Sequence, residues 1–283
     1  MGSPFRALAR AVAYVAWTVL MLPAQAVAVA LGLGAARRIP IFYHRNCLRL
    51  MGIKLDVQGE MSRAHPTLFV SNHGSYIDIT VLGSIVPGSF VAKSEIASWP
   101  FFGLLAKLQR SVFVDRRGPN AGQHRDDLIA RLNAGDWLIL FPEGTSSDGN
   151  RVLPFKTALF AVAGLEVGGK PLTVQPVSIA YTRLDDMPVG RTFRPFFAWY
   201  GETALLSHAW DLIGLGTLTV SVQFHPPVTL ADFGSRKALA RHCYDTVSTG
   251  LATANAGRPL APALPKPAPT ADPAAPATPA TVA

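Results

Sequence analysis

The stretch "TLFVSNHGSYID", Thr67 to Asp78, opens with an unbroken apolar run and closes as a polar loop. Such a run, bounded by turn-forming residues, has the pattern of a strand covered on both faces rather than one wetted on alternate sides. It reads as a buried strand ending at Ser71, with the next helix starting near Asp78. His73 then stands on the connecting loop, and Asp78 lies one tight turn away. An aspartate that accepts from one imidazole N–H fixes the tautomer and leaves the other nitrogen basic, ready to take a proton from a hydroxyl. A helix-capping Asp beside a turn His accounts for the same letters, and the pair alone does not separate the two readings.

Similar runs recur on both sides. "LDVQG" (Leu55 to Gly59), "SFVAK" (Ser89 to Lys93), "SVFVD" (Ser111 to Asp115), "DWLILF" (Asp136 to Phe141), "LTVQPVSIA" (Leu172 to Ala180) and "LTVSVQF" (Leu218 to Phe224) are strand candidates. Helical stretches fall between them: "TVLGSIV", "FFGLLAKLQ", "AGQHRDDLIARLNAG", "KTALFAVAGLEVG" and "SRKALARHCYDTVSTG". The alternation predicts an α/β domain with a mostly parallel sheet flanked by helices, whose reactive loops lie at strand C-terminal ends. Two more loops carry chemistry at such ends. "FPEGTSSDG" sets Glu143, Gly144 and Thr145 after an apolar strand, where a carboxylate, hydroxyls and backbone N–H groups can hold a polyol or phosphate. "FVDRRG" ends a strand in Asp115, Arg116 and Arg117, and adjacent guanidinium groups suit bidentate phosphate binding. Each has an ordinary reading as well, a turn in the first case and a surface charge cluster in the second.

Between Arg10 and Arg37 no residue is charged, and the run Ala11 to Ala36 is long enough for a membrane span, for which about 20 residues suffice. Its length favours a membrane anchor over a cleaved signal peptide, whose apolar core is shorter. Pro23 inside the run, with Gly32 and Gly34 after it, is as compatible with a kinked or re-entrant pair as with one straight helix. Arg37, Arg38, His44, Arg45, Arg49 and Lys54 follow, a cluster suited to anionic headgroups on the cytoplasmic side. Over all 283 residues only 16% are charged, 49% are hydrophobic, and the net charge is +8, which implies an acidic partner without naming it. Cys47 and Cys243 stand apart from one another and read as reduced, buried thiols. The Pro/Ala-rich end cannot bury enough surface to stay ordered. The expected organisation is residues 1–53 as a membrane-anchoring helical segment, 54–256 as the catalytic domain and 257–283 as a disordered tail.

Together and in order, "NHGSYID", "FVDRR", "FPEGT" and "VQPVSIAYTR" resemble the four blocks of the glycerolipid acyltransferases over Lys54 to Ala180, closest to the bacterial 1-acylglycerol-3-phosphate O-acyltransferases. The resemblance implies that fold, with membrane-embedded N-terminal helices. It makes His73 the general base, Asp78 its orienting partner and Arg116 a phosphate contact, and gives Glu143, Gly144 and Thr145 a place in acceptor binding. Lys93, Lys156 and Arg117 are further candidates for the anionic pocket, and Pro176 and Val177 would line the acyl or acceptor channel. The implied reaction moves an acyl group from acyl-CoA or acyl carrier protein to the free hydroxyl of a lysophospholipid. The implied place is the inner (cytoplasmic) membrane, with the catalytic domain facing the cytoplasm, membrane lipids as partners and no nucleic acid.

The family block ends Glu-Gly-Thr-Arg-Ser, whereas this chain has Ser146 at the arginine position, with Arg117 or Arg151 able to compensate. The related lyso-ornithine lipid acyltransferases share this likeness, so 1-acylglycerol-3-phosphate leads as acceptor and lyso-ornithine lipid stands second. Direct transfer needs no Ser or Cys nucleophile. The chain carries no GxSxG, HExxH or GxxxxGK[ST] pattern, so neither a metal nor a nucleotide cofactor is expected. A non-catalytic lipid-binding protein on the same scaffold, or a hydrolase using His73, are the competing classes.

Overall fold

The computed structural model describes residues 2–114 and 121–259, so Arg116, Arg117 and most of the C-terminal tail lie outside the described residues. Seven strands form the body of the sheet: β1 (Ile53–Gln58), β2 (Thr67–Ser71), β3 (Gly88–Lys93), β4 (Val112–Val114), β5 (Trp137–Leu140), β6 (Thr173–Leu184) and β7 (Leu218–Phe224). Their spatial order is β1-β7-β6-β2-β5-β3-β4. All neighbouring pairs along this path are parallel except β6 and β7. Short antiparallel pairings of Val228–Thr229 and Met187–Pro188 extend β6.

β2 is the axis of the sheet: all five residues are buried, with β5 on one side and β6 on the other. Side chains alternate across a strand, so Phe69 points to one face while Leu68 and Val70 point to the other. The first face is covered by Leu48 of α2 (Ala35–Met51), by Ile77, Val81 and Leu82 of α3 (Ile77–Gly83), and by the end of a helix over Leu205–Ile213. The second is covered by Leu128 and Leu132 of Ala121–Asn133 and by Leu239 and Cys243 of Arg236–Asn255. Because β2, β3 and β5 run in parallel, the loops that leave Ser71, Lys93 and Leu140 emerge at one edge of the sheet.

The N-terminal segment is a helical hairpin. Helix α1 (Pro4–Ala30) contains Pro23, and Gly32 at φ +62° reverses the chain into α2. The two run antiparallel: Trp17 Nε1 donates to Tyr43 O at 3.2 Å, and Gln25 Nε2 to Ala36 O at 3.1 Å. The start of α1 is pinned to the sheet-bearing part of the chain through Arg10, whose Nη1 donates to the carbonyls of Ile213, Leu215 and Gly216. Phe5, Leu8, Val12, Val15 and Val19, spaced at three and four residues, are exposed along its outer face. Pro23 does not break the helix: the apolar run is one continuous helix to Ala30, and the chain reverses only after it.

Two sequence expectations change. Lys156 to Gly168 is not an α-helix but a 3₁₀ segment over Thr157–Gly164 followed by a two-residue strand. Phe160, Val162 and Ala163 are all buried there, a spacing that three residues per turn serves better than 3.6. The helix over Leu205–Ile213 has no counterpart in the sequence reading, and Ala204 at its start makes no side-chain cap that would have signalled it. Both cysteines are free and buried, as expected.

At the edge of the sheet opposite the reactive loops, one buried carboxylate ties three elements together. Asp136 meets Arg110 Nη2 at 2.6 Å and Arg37 Nε at 3.1 Å, and accepts from Ser89 Oγ. Removing it strands Arg110, whose side chain is almost fully buried, without its counter-charge. Asp136→Ala is expected to lower unfolding free energy by about 3 kcal/mol in denaturant titrations. A loss below about 1 kcal/mol would show that this anchor does not hold α2 to the sheet.

Candidate active site

Asn72 turns the chain out of the sheet. Its amide continues the β2–β6 pairing after the strand has ended: Nδ2 donates to Ile179 O at 2.9 Å, and Ile179 N donates to Oδ1 at 2.8 Å. With both groups satisfied by one side chain, the backbone can leave the ladder and present His73 at the sheet edge.

Behind His73, the fully buried carboxylate of Asp78 gathers four donors. His73 Nδ1 (3.0 Å), Gly74 N (2.7 Å) and Ser75 N (2.9 Å) reach Oδ2, and the Tyr181 hydroxyl donates to Oδ1. The loop wraps the carboxylate much as a backbone nest wraps an anion. Asp78 can only accept here, so His73 holds its proton on Nδ1 and Nε2 keeps the lone pair. Burial and the Asp78 charge raise the Tyr181 hydroxyl well above its ordinary value, which keeps it a donor.

The second loop is locked to the first. Glu143 Oε1 accepts from His73 N at 2.7 Å, Oε2 accepts from Leu153 N at 2.7 Å, and Ser147 N donates back to His73 O at 2.8 Å. Gly144 supplies the turn with φ +74°, in the left-handed region that favours glycine. Burial pushes the Glu143 carboxyl up to about 8, and nearby Asp78 adds to this against the two backbone N–H bonds. The His73 ring stacks on Phe141 at 4.3 Å between centroids, and Phe141 stacks in turn on Phe90. Helix α3 and the loop after β5 thus grip one imidazole, the first through its Nδ1 and the second through its backbone and its ring face.

His73 lines a cavity of about 290 Å³ whose walls come from α1, α2, α3, β3 and the helix over Phe102–Leu108. Leu22, Ile39, Phe90, Ile96 and Leu105 make it largely apolar. Tyr76 and Trp199 also line it, and Tyr76 Oη bonds His208 Nδ1 at 3.1 Å. An imidazole with a fixed lone pair beside a slot for an apolar chain can deprotonate a hydroxyl brought alongside an acyl group.

The structure therefore brings His73, Asp78 and Glu143 together. Glu143 is buried behind the histidine, making bonds to backbone groups of the two loops. Thr145 is exposed, Lys93 closes β3 half-buried, and Lys156 N donates to Pro142 O. None of these three lines the apolar cavity. Val177 is packed in the core between β2 and β7, and neither it nor Pro176 lines the cavity, because both sit within the paired part of β6. Asn72, Tyr76 and Tyr181 were not singled out in the sequence. Asn72 and Tyr181 lie inside the quoted blocks, and their partners, Ile179 and Asp78, are about a hundred residues away. Among the described residues, no group of three or more His, Cys, Asp or Glu side chains could hold a metal ion.

The acyltransferase family model matches residues 54–180, which span both loops. The chain is 44% identical to a lyso-ornithine lipid O-acyltransferase of Brucella abortus, across 88% of this chain and 94% of that protein. The chain belongs to the acyltransferase family. A lyso-ornithine lipid O-acyltransferase of Rhizobium meliloti is 40% identical over 89% of this chain and 88% of its own length. A 1-acyl-sn-glycerol-3-phosphate acyltransferase of Neisseria gonorrhoeae is 32% identical over 71% and 76%. The fold is that of the crystallised 1-acyl-sn-glycerophosphate acyltransferase from Thermotoga maritima, with a TM-score of 0.54 at 20% identity over 86% of this chain and 96% of that one. This acyltransferase carries an N-terminal helix of 27 residues, apolar and long enough to cross a membrane and only 17% buried in its most apolar window, which associates it with a membrane.

The raised Glu143 carboxyl gives stability a direction in pH. Its folded value, about 8, lies above the ordinary 4.5, so its contribution is full below about 4.5 and is lost as pH rises toward 8. Unfolding midpoints of wild type and Glu143→Gln across pH 5 to 8, in steps of roughly one unit, should show wild type losing more stability with rising pH than the variant. The amide also meets one backbone donor with a second, so Glu143→Gln should be about 1–2 kcal/mol less stable at the acid end. Parallel pH profiles for the two proteins would contradict the assignment.

Proposed function

We propose that this acyltransferase transfers a fatty acyl group from a carrier thioester to the free hydroxyl of a lyso-ornithine lipid, with His73 as general base and Asp78 as the residue that orients it. The observation that carries the reading is the His73–Asp78 pair at an apolar cavity. Nε2 of His73 removes the hydroxyl proton as that oxygen attacks the thioester carbonyl carbon. The new C–O bond forms, the C–S bond breaks, and the departing thiolate takes the proton back from His73, leaving an ester, a free thiol and the starting imidazole. No acyl-enzyme intermediate is required.

Two observations support the ornithine-based acceptor: the relatives at 44% and 40% identity over nearly the whole chain bear that name, and Ser146 stands where the phosphate-oriented block has arginine. A second reading, 1-acylglycerol-3-phosphate giving phosphatidic acid in phospholipid synthesis, is favoured by the Neisseria relatives. Arg116, Arg117, Lys93 and Lys156 are then the cations that would meet the phosphate, with Gly144 and Thr145 beside them. The donor is acyl-CoA or acyl carrier protein, and no metal or nucleotide cofactor takes part. The basic stretch of Arg37, Arg38, Arg45 and Arg49 along α2 supports docking on the anionic face of the inner membrane, with the catalytic domain in the cytoplasm.

The assay is acylation by the purified full-length enzyme in detergent, with each lysolipid offered against acyl-CoA and acyl carrier protein thioesters. Lyso-ornithine lipid should be acylated with the higher kcat/KM, and preference for 1-acylglycerol-3-phosphate would reverse the acceptor assignment. His73→Ala should lower kcat by roughly 10³-fold with the fold kept by circular dichroism, the scale of a lost general base. Turnover within about tenfold of wild type would remove His73 from that role.

A further inference from the structure

The apolar cavity ends on polar atoms. His73 bonds Asp78 in the first turn of α3, whereas the His44 ring lies against Gly83 at the end of that helix. Along α1 the lining runs from Tyr14 to Gln25, about three turns or roughly 16 Å of helix rise. His73 thus stands at one end of the cavity, and His44, with its neighbours Gln25 and Gln109, at the other.

At that far end, two acceptors have no partner. Gln25, 6% exposed, donates through Nε2 to Ala36 O at 3.1 Å and Leu108 O at 2.6 Å, which fixes Oε1 as its acceptor end. His44, 7% exposed, bonds Gln109 Oε1 through Nε2 at 3.0 Å, so its proton sits there and Nδ1 is left as an acceptor. Gln25 Oε1 and His44 Nδ1 are buried and make no hydrogen bond, although both residues line the cavity. Native proteins rarely bury acceptors unmet, and a side-chain amide at the end of an apolar slot calls for a donor in that slot.

Resting on the acyl-transfer reading above, we infer that this cavity selects acyl chains bearing a hydroxyl near the methyl end, which donates to Gln25 Oε1 or His44 Nδ1. A plain methyl terminus reaching this depth displaces any water and leaves both acceptors dry, whereas a hydroxyl replaces the water's hydrogen bond. A site built to bond a hydroxyl discriminates against the analogue that lacks it.

The test compares two thioesters of one chain length, one plain and one hydroxylated at or next to the methyl end, on the carrier that supports turnover. Wild-type enzyme should show a kcat/KM at least tenfold higher for the hydroxylated chain, and Gln25→Leu should bring that ratio to about one or below. Equal use of the two thioesters by wild type would overturn the inference while leaving acyl transfer intact. A ratio unchanged in folded Gln25→Leu would remove Gln25 from the selection and overturn it as stated. Failure of folded wild type to turn over either thioester would sink the acyl-transfer reading itself, and this inference with it. Should Gln25→Leu not fold, the wild-type ratio decides alone.

Discussion

The buried carboxylate of Asp78 is the constraint on which the rest of this enzyme depends. Two backbone N–H groups, an imidazole and a phenol converge on its two oxygens, from a loop and from a strand about a hundred residues away. A carboxylate taken out of water is tolerated only where hydrogen bonds replace its hydration, and here every one of those bonds also positions something. The loop must close tightly to offer Gly74 and Ser75, the imidazole must turn Nδ1 inward, and β6 must run past Ala180 to deliver Tyr181. The long β6 and the position of the loop are two sides of one requirement.

Glu143 repeats this arrangement at the level of the backbone. Its two oxygens fasten His73 N and Leu153 N, so that the second loop holds the first from beneath. This changes the meaning of the "FPEGT" letters. Its glutamate is buried behind the histidine, while its glycine makes the turn and its threonine faces outward. On the proposed function, acceptor recognition falls to the outer side of that loop and the strand ends beside it, and the apolar cavity beneath the helical hairpin is the slot offered to the acyl chain.

The parallel core was legible because strands buried on both faces have to be continuously apolar: "TLFVS" and "LTVSVQF" match their strands residue for residue, and the loops at the ends of β2 and β5 followed from that. His73 and Asp78 were legible because their partnership is local, five residues apart. Tyr181 and the Asn72 amide were not, since their bonds depend on which strand neighbours β2, a fact of topology rather than of spacing. The 3₁₀ segment over Thr157–Gly164 looked helical because it is apolar throughout, and composition cannot distinguish three residues per turn from 3.6. The polar lining of the hairpin was hidden for a similar reason. Gln25 and Thr18 are isolated letters in an apolar run, and only the antiparallel packing of α1 on α2 shows that they face inward.

If Asp78 holds His73 in the tautomer that chemistry requires, then changing its charge while keeping its shape must disable the enzyme without unfolding it. The direct measurement is single-turnover acyl transfer by Asp78→Asn, with the fold checked by circular dichroism. The amide can accept through one oxygen only and faces backbone donors with its NH₂, so the imidazole loses its partner at Nδ1. The account predicts a rate lower by roughly 10²- to 10⁴-fold in a folded protein. A folded Asp78→Asn enzyme transferring acyl groups at close to the wild-type rate would contradict it.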